Sequence, residues 1–160
     1  MPQFTGVDHV ALSVTDVAAS HRFYTEVLGF VQVMDIGHGR IYLHNPAGFT
    51  LALLQQPWGN GEKFTELSTG LDHLGLSASD LDELQQWQNR FDDLGVTYTP
   101  IREAEGGYHL NFRDPDGIAL EFFAPKPWFA EAVAMIRTGA LSDEQIQQQA
   151  GELLAINAQG

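Results

Sequence analysis

Apolar and polar positions alternate along Val10-Ala11-Leu12-Ser13-Val14, a period of two that predicts a half-buried strand. The pattern returns 64 residues later as Leu74-Gly75-Leu76-Ser77-Ala78, and the flanks return with it: Asp8-His9 precedes the first copy and Asp72-His73 the second. After each strand the spacing becomes helical. Val17, Ser20, Phe23, Tyr24, Val27 and Leu28 mark one stripe, and Leu81, Leu84, Trp87, Phe91 and Leu94 the other. Gly29 and Gly95 close them where a left-handed residue ends a helix.

Three strand-like segments follow each helix, at 30–35, 40–44 and 49–54 in the first half and at 96–102, 108–113 and 118–123 in the second. The last two of each half flank a turn, Asn45-Pro46-Ala47-Gly48 or Asp114-Pro115-Asp116-Gly117, in which Pro presets φ and Gly accepts a positive one. Each half therefore reads β-α-β-β-β, the first over about 5–66 and the second over about 69–125. The expected fold class is α+β, with one domain over 1–125 and a helical extension over 126–160. In that extension, 127–137 is amphipathic through Trp128, Phe129, Val133 and Ile136. Ser142-Asp143-Glu144-Gln145 is a capping box for a second helix that carries Ile146, Leu153, Leu154 and Ile156. These helices are expected to cover an open sheet edge or to join two copies of the chain.

Composition narrows the partners. A formal charge of −13, with only eight Lys and Arg, argues against a nucleic acid. No apolar run is long enough to span a membrane, and the N-terminus lacks the pattern of a secretory signal, so the cytoplasm is the expected location. Cysteine is absent, which leaves only nitrogen and oxygen as ligands for any metal.

Aligning the two turns at Pro46 and Pro115 sets Leu51 on Leu120 and Ala52 on Glu121. With Leu120 and Phe122 directed at the helix, Glu121 points to the opposite, concave face, and the same parity puts His9 and His73 there. Two imidazoles at repeat-equivalent positions and a carboxylate on an otherwise apolar strand form a ligand set for one divalent ion, Fe, Mn, Zn or Ni. Parity on the adjacent strands adds His109, Asn111 and Arg113, and the repeat adds Arg40, Tyr42 and His44. Tyr42 and His109 are candidate acid–base groups, and Arg40, His44, Asn111 and Arg113 candidate substrate contacts. His21, in the first helix, and His38, between two glycines, read as ordinary surface residues.

The order Asp8-His9-Val10-Ala11-Leu12, Asp16, Phe23-Tyr24, Leu28-Gly29-Phe30, then Phe112-Arg113-Asp114-Pro115-Asp116-Gly117 and Glu121, resembles the vicinal oxygen chelate superfamily over about residues 5–125. Glyoxalase I, fosfomycin resistance transferases, extradiol dioxygenases and bleomycin resistance proteins are members. The resemblance implies paired βαβββ modules in a curved, half-open mixed sheet with flanking helices around a metal that chelates neighbouring substrate oxygens. It also implies a small-molecule substrate and frequent homodimers. Departures narrow the chemistry. Ala52 stands where glyoxalase I has a second Glu, Asn111 where extradiol enzymes have a Tyr, and Ala11 where fosfomycin enzymes have a Thr. The implied function is a metal-dependent isomerase, lyase or ring-cleaving oxygenase. The alternative is a metal-free, bleomycin-resistance-type protein that sequesters a small molecule.

Overall fold

The computed structural model describes residues 6–157. The first half runs β1 (His9–Ser13), α1 (Val17–Arg22), a π-helical turn (Phe23–Val27), β2 (Val31–Asp35), β3 (Gly39–His44) and β4 (Phe49–Leu54). The second runs β5 (Leu74–Ser77), α2 (Leu81–Leu94), β6 (Arg102–Glu103), β7 (Gly107–Arg113) and β8 (Ala119–Pro125). Two helices follow, α3 (Pro127–Arg137) and α4 (Asp143–Asn157). No helix among the described residues is long and apolar enough to cross a membrane.

Both helices start at the Asp that ends the repeated strand. Asp16 accepts the N–H groups of Ala18 and Ala19, and Asp80 that of Glu83, satisfying donors a helix start leaves open. Gly95 ends α2 at φ 68°, a conformation that costs a side chain with a Cβ but not glycine. The capping box at α4 forms as Ser142 N–H donates to Gln145 Oε1 and Gln145 N–H to Ser142 Oγ. Leu153, Leu154 and Ile156, expected on its apolar side, have side chains outside the described residues.

The strands make two four-stranded mixed sheets, ordered β1-β4-β3-β2 and β5-β8-β7-β6. In each, the repeated strand lies at one edge and pairs in parallel with the last strand of its own half. A single buried core joins the helix sides of both sheets, with Leu12, Tyr24, Leu51 and Leu53 from one half and Leu84, Phe91, Phe112 and Phe122 from the other. Trp87 stacks on Phe122 at 4.4 Å, Phe91 lies 4.8 Å from Phe112, and Arg90 Nε donates to the carbonyl of Val27 across the halves. The two modules therefore pack helix layer to helix layer, which turns the other face of each sheet outward.

Two segments differ from expectation. The strand expected at 96–102 shrinks to β6, with a lone bridge from Tyr98 to Phe112. Pro100 cannot donate to a ladder there. The first helix widens into the π turn after Arg22.

Gly107, at the start of β7, sits against the neighbouring strand. A Cβ on it would lie 2.4 Å from the carbonyl oxygen of Ala124 and 2.8 Å from the Phe123 ring. Gly107→Ala is expected to destabilise the fold by about 2–3 kcal/mol through overpacking, read as a lowered urea midpoint with an unchanged m-value.

Candidate metal centre

The outward faces carry the candidate ligands. His9, Ala11 and Ser13 of β1 lie beside Thr50, Ala52 and Leu54 of β4, while their neighbours Leu12, Leu51 and Leu53 are in the core. On the second sheet Glu121 pairs with Gly75 on one side and Asn111 on the other, and His109 pairs with Phe123. His73, just before β5, shares the parity of Gly75 and so stands one diagonal step from Glu121. A Cβ at Gly75 would meet nothing within 4 Å, which leaves the space between His73 and Glu121 open.

Each histidine is oriented by the aspartate before it. His9 Nδ1 lies 2.8 Å from Asp8 Oδ1, and His73 Nδ1 lies 2.6 Å from Asp72 Oδ1. An ionised carboxylate only accepts, so both Nδ1 atoms donate and each neutral ring keeps its Nε2 lone pair free. Both imidazoles are about half exposed, at 54% and 45%. Glu121 is buried at 9% exposure, and its Oε2 accepts from His109 Nδ1 at 2.9 Å. The imidazole thus meets part of the polar demand of a buried carboxylate, and the other oxygen has no hydrogen bond among the described residues. Two N donors with free lone pairs and a carboxylate oxygen are the donor set of a divalent cation, so the chemistry of the residues fits one.

The structure brings together His73, Glu121, His109 and Asn111 on one sheet, and His9 lies on the other. Among the described residues of one chain, no group of three His, Asp or Glu side chains converges on a common point. β1 and β5 remain unpaired along one edge, and each edge opens onto a cavity. One, of about 400 Å³, is lined by Ala11, Leu12 and Ser13; the other, of about 290 Å³, by Gly75, Leu76 and Ser77. These triplets are equivalent in the repeat.

Arg40, Tyr42 and His44 do not face the concave side as parity by repeat places them. Tyr42 is fully buried and pairs with Leu51 of the core, and its phenol lies 3.0 Å from His21 Nδ1. Burial, the largest influence, raises its pKa, against a smaller opposing effect of Arg40. Arg40 turns to Asp35 at 3.6 Å, and the His44 ring packs 5.2 Å from Phe30. The cause is one residue. His44 pairs with Phe49 across four turn residues, whereas Arg113 pairs with Ala119 across five. Asp114 Oδ1 makes the longer turn by accepting the N–H groups of both Asp116 and Ile118. A slip of one residue exchanges the faces of a strand, so β3 shows Ile41 and Leu43 outward where β7 shows His109 and Asn111.

Arg113 has the expected parity but is engaged. Its guanidinium holds Glu66 through two hydrogen bonds of 3.1 and 2.7 Å and the carbonyl of Gly117 at 3.0 Å. That pair, through its hydrogen bonds first, lowers the pKa of Glu66 to about 2 and raises that of Arg113. His21, read as a surface residue, is half-buried and holds Tyr42.

Sequence reasoning also missed the turn Asp114-Pro115-Asp116, whose polar letters suggest solvent. Both aspartates are buried. Asp116 accepts from the backbone and hydroxyl of Thr15 and from Lys63, and Asp114 accepts from Tyr24 at 3.3 Å, so the turn ties the second module to the first. Burial raises the pKa of Asp114 to about 6. Burial acts the same way on Asp116, but the Thr15 and Lys63 hydrogen bonds together hold its pKa below the ordinary value. The one clue in the sequence was an Asp directly after β7 and another three residues before β8, both between apolar strands.

Twin βαβββ modules define a scaffold that can carry different chemistries rather than one enzyme. Residues 6–122 match the Glyoxalase/Bleomycin resistance protein/Dioxygenase superfamily, and the chain belongs to it. It is 28% identical over 129 residues to the uncharacterized protein YaeR of Escherichia coli K12, covering 73% of this chain and 94% of that protein. A glyoxylase/bleomycin resistance protein/dioxygenase domain from Frankia sp. EAN1pec has a similar structure (TM-score 0.71, 32% identity, 78% of this chain and all of that one). The fosfomycin resistance protein FosX of Listeria monocytogenes, solved with Mn(II) and sulfate, shares the fold at a TM-score of 0.63 and 19% identity, over 78% of this chain and 94% of that one.

Proposed function

We propose that the chain is a metal-dependent enzyme acting on a small oxygen-bearing molecule, with a site built from two copies of the chain: His9 of one, and His73 and Glu121 of the other. The observation that carries this reading is the twice-made Asp-His pair, each imidazole half-exposed with Nδ1 held and Nε2 free, at a sheet whose edge is open. Seating β1 of one copy beside β5 of a second covers both open edges. It also sets the apolar outer face of the first sheet, Ala11, Ile41, Leu43 and Ala52, opposite the polar face with Glu121, His109 and Asn111.

A bound divalent cation would supply Lewis-acid polarisation of substrate oxygens. His109 contributes the proton chemistry. Glu121 fixes its Nδ1 as a donor, which leaves Nε2 to accept a proton from substrate. Asn111, whose side chain has no hydrogen-bond partner among the described residues, can donate its amide to a substrate oxygen. Ala52 at the position equivalent to Glu121 leaves the first sheet only one ligand, and coordination positions stay free for substrate.

Titration of metal-free protein with Mn(II) is expected to reach about one ion per chain, as a site completed by a symmetric dimer requires. Asp72→Ala is expected to weaken binding about tenfold by releasing His73, whereas Asp72→Asn, which keeps an acceptor oxygen, holds most of the affinity. A wild-type protein that binds no divalent ion would defeat the enzyme reading and leave that of a small-molecule sequestering protein.

A further inference from the structure

Helix α3 lies beyond the residues that match the family, yet it packs beside the candidate site. Phe129 meets the Phe123 ring edge-on at 5.9 Å and 85°. Phe123 is two residues from Glu121 on the same outward face, with its ring 4.9 Å from that of His109. Adjacent glycines allow the approach, since a Cβ on Gly106 would come within 3.3 Å of the Phe129 ring and one on Gly107 within 2.8 Å of Phe123.

Between α3 and the ends of β5 and β8 lies a cavity of about 370 Å³, large enough for a small ligand. Its walls are apolar, formed by Ala78, Phe123, Phe129, Val133 and Ala134, and Arg137 stands at its rim. Arg22, Arg90, Arg102 and Arg137 have no carboxylate within ion-pair distance among the described residues, and of these four only Arg137 lines one of the three cavities described. In a chain of net charge −13, a guanidinium left without a carboxylate beside an apolar cavity is complementary to an anion with a hydrocarbon body.

We propose that the cavity between β8 and α3 binds a small aliphatic or aryl carboxylate, its hydrocarbon against Phe123 and Val133 and its carboxylate on Arg137. The position two residues from Glu121 makes it a specificity subsite of the proposed enzyme. In that respect the inference rests on the functional reading, but the cavity itself is made by one chain and needs no metal.

Calorimetric titration of the metal-free full chain with octanoate and with 1-octanol tests it. Octanoate is expected to bind roughly fivefold more tightly than the alcohol, the scale of a partly exposed charge-assisted contact. Arg137→Gln, an exposed substitution that leaves the core intact, should erase that preference. Ala134→Trp should exclude both ligands, and Glu121→Gln should bind octanoate as the wild type does. Equal affinity for acid and alcohol, or a preference that survives Arg137→Gln, overturns the proposal. So does loss of octanoate binding in Glu121→Gln, which would put the acid at the metal ligands. If Ala134→Trp instead changes the mass of the protein in sedimentation, the cavity is a contact between copies and the proposal fails. Absence of Mn(II) binding with octanoate binding intact would defeat the enzyme reading alone.

Discussion

A His9→Ala protein and a His73→Ala protein, neither of which binds a divalent metal alone, are expected to regain binding when unfolded together and refolded. The site proposed above takes one imidazole from each of two chains. A mixed dimer then holds one site in which both mutated chains contribute their intact halves, and one in which both halves are damaged. Random pairing makes half the dimers mixed, so about a quarter of all sites recover, against none in either variant refolded alone. Mn(II) bound per chain, read by the loss of the free-ion electron paramagnetic resonance signal, gives that fraction directly. Recovery of nothing, with both variants dimeric and folded, would place His9 and His73 in unconnected roles. The magnitude expected for each single variant is large because a two-imidazole, one-carboxylate set reduced by one ligand loses both a donor and its geometry.

Replacing Asp114 by Asn is expected to stabilise the protein at neutral pH by about 2 kcal/mol and to destabilise it by about 1 kcal/mol well below pH 4. The sign follows from the direction of the shift. Burial raises this carboxyl from 3.8 to about 6 in the folded chain. Below the lower value both folded and unfolded chains carry it protonated, and burial of the neutral acid is tolerated. As pH rises through the folded value, the native state must hold a buried anion, and that contribution to stability is lost. A shift of about two units corresponds to roughly 3 kcal/mol, of which about 1 kcal/mol is offset by a poorer hydrogen bond to Tyr24 in the amide. The two turn N–H groups keep their acceptor in Asn. Asp116 acts in the opposite sense, since its lowered pKa adds stability that disappears as pH falls, and it is present in both proteins. Urea midpoints of the two proteins at pH 4, 5, 6 and 7.5 isolate Asp114 by difference. A difference that does not grow with pH would show that burial does not govern this carboxyl.

Turn Asp114-Pro115-Asp116 also shows where reading the chain alone goes astray. Its letters are those of an exposed hairpin, and its hairpin role is correct. Its burial depends on Thr15 and Tyr24, about 90 to 100 residues away in the chain, and no local pattern carries that. The same holds for Arg113, whose parity is right but whose donors are taken by Glu66 of the connection between the modules.

The sequence by itself determined the twofold βαβββ repeat, the helix caps, the facing of His9, His73 and Glu121, and the unequal column of Ala52 against Glu121. These follow from spacing within a strand or helix, where the geometry of a few bonded residues sets which side a side chain takes. Only the tertiary structure decided the rest. A single extra residue between Arg113 and Ala119 turned Arg40, Tyr42 and His44 away from the site, because pleat parity counts every turn residue and cannot say how many a turn will hold. Likewise, the modules pack helix to helix, which leaves His9 on one sheet and His73 with Glu121 on the other. A repeat states that two halves are alike; which faces they bury against each other depends on the apolar area each offers, a property of the assembled surfaces.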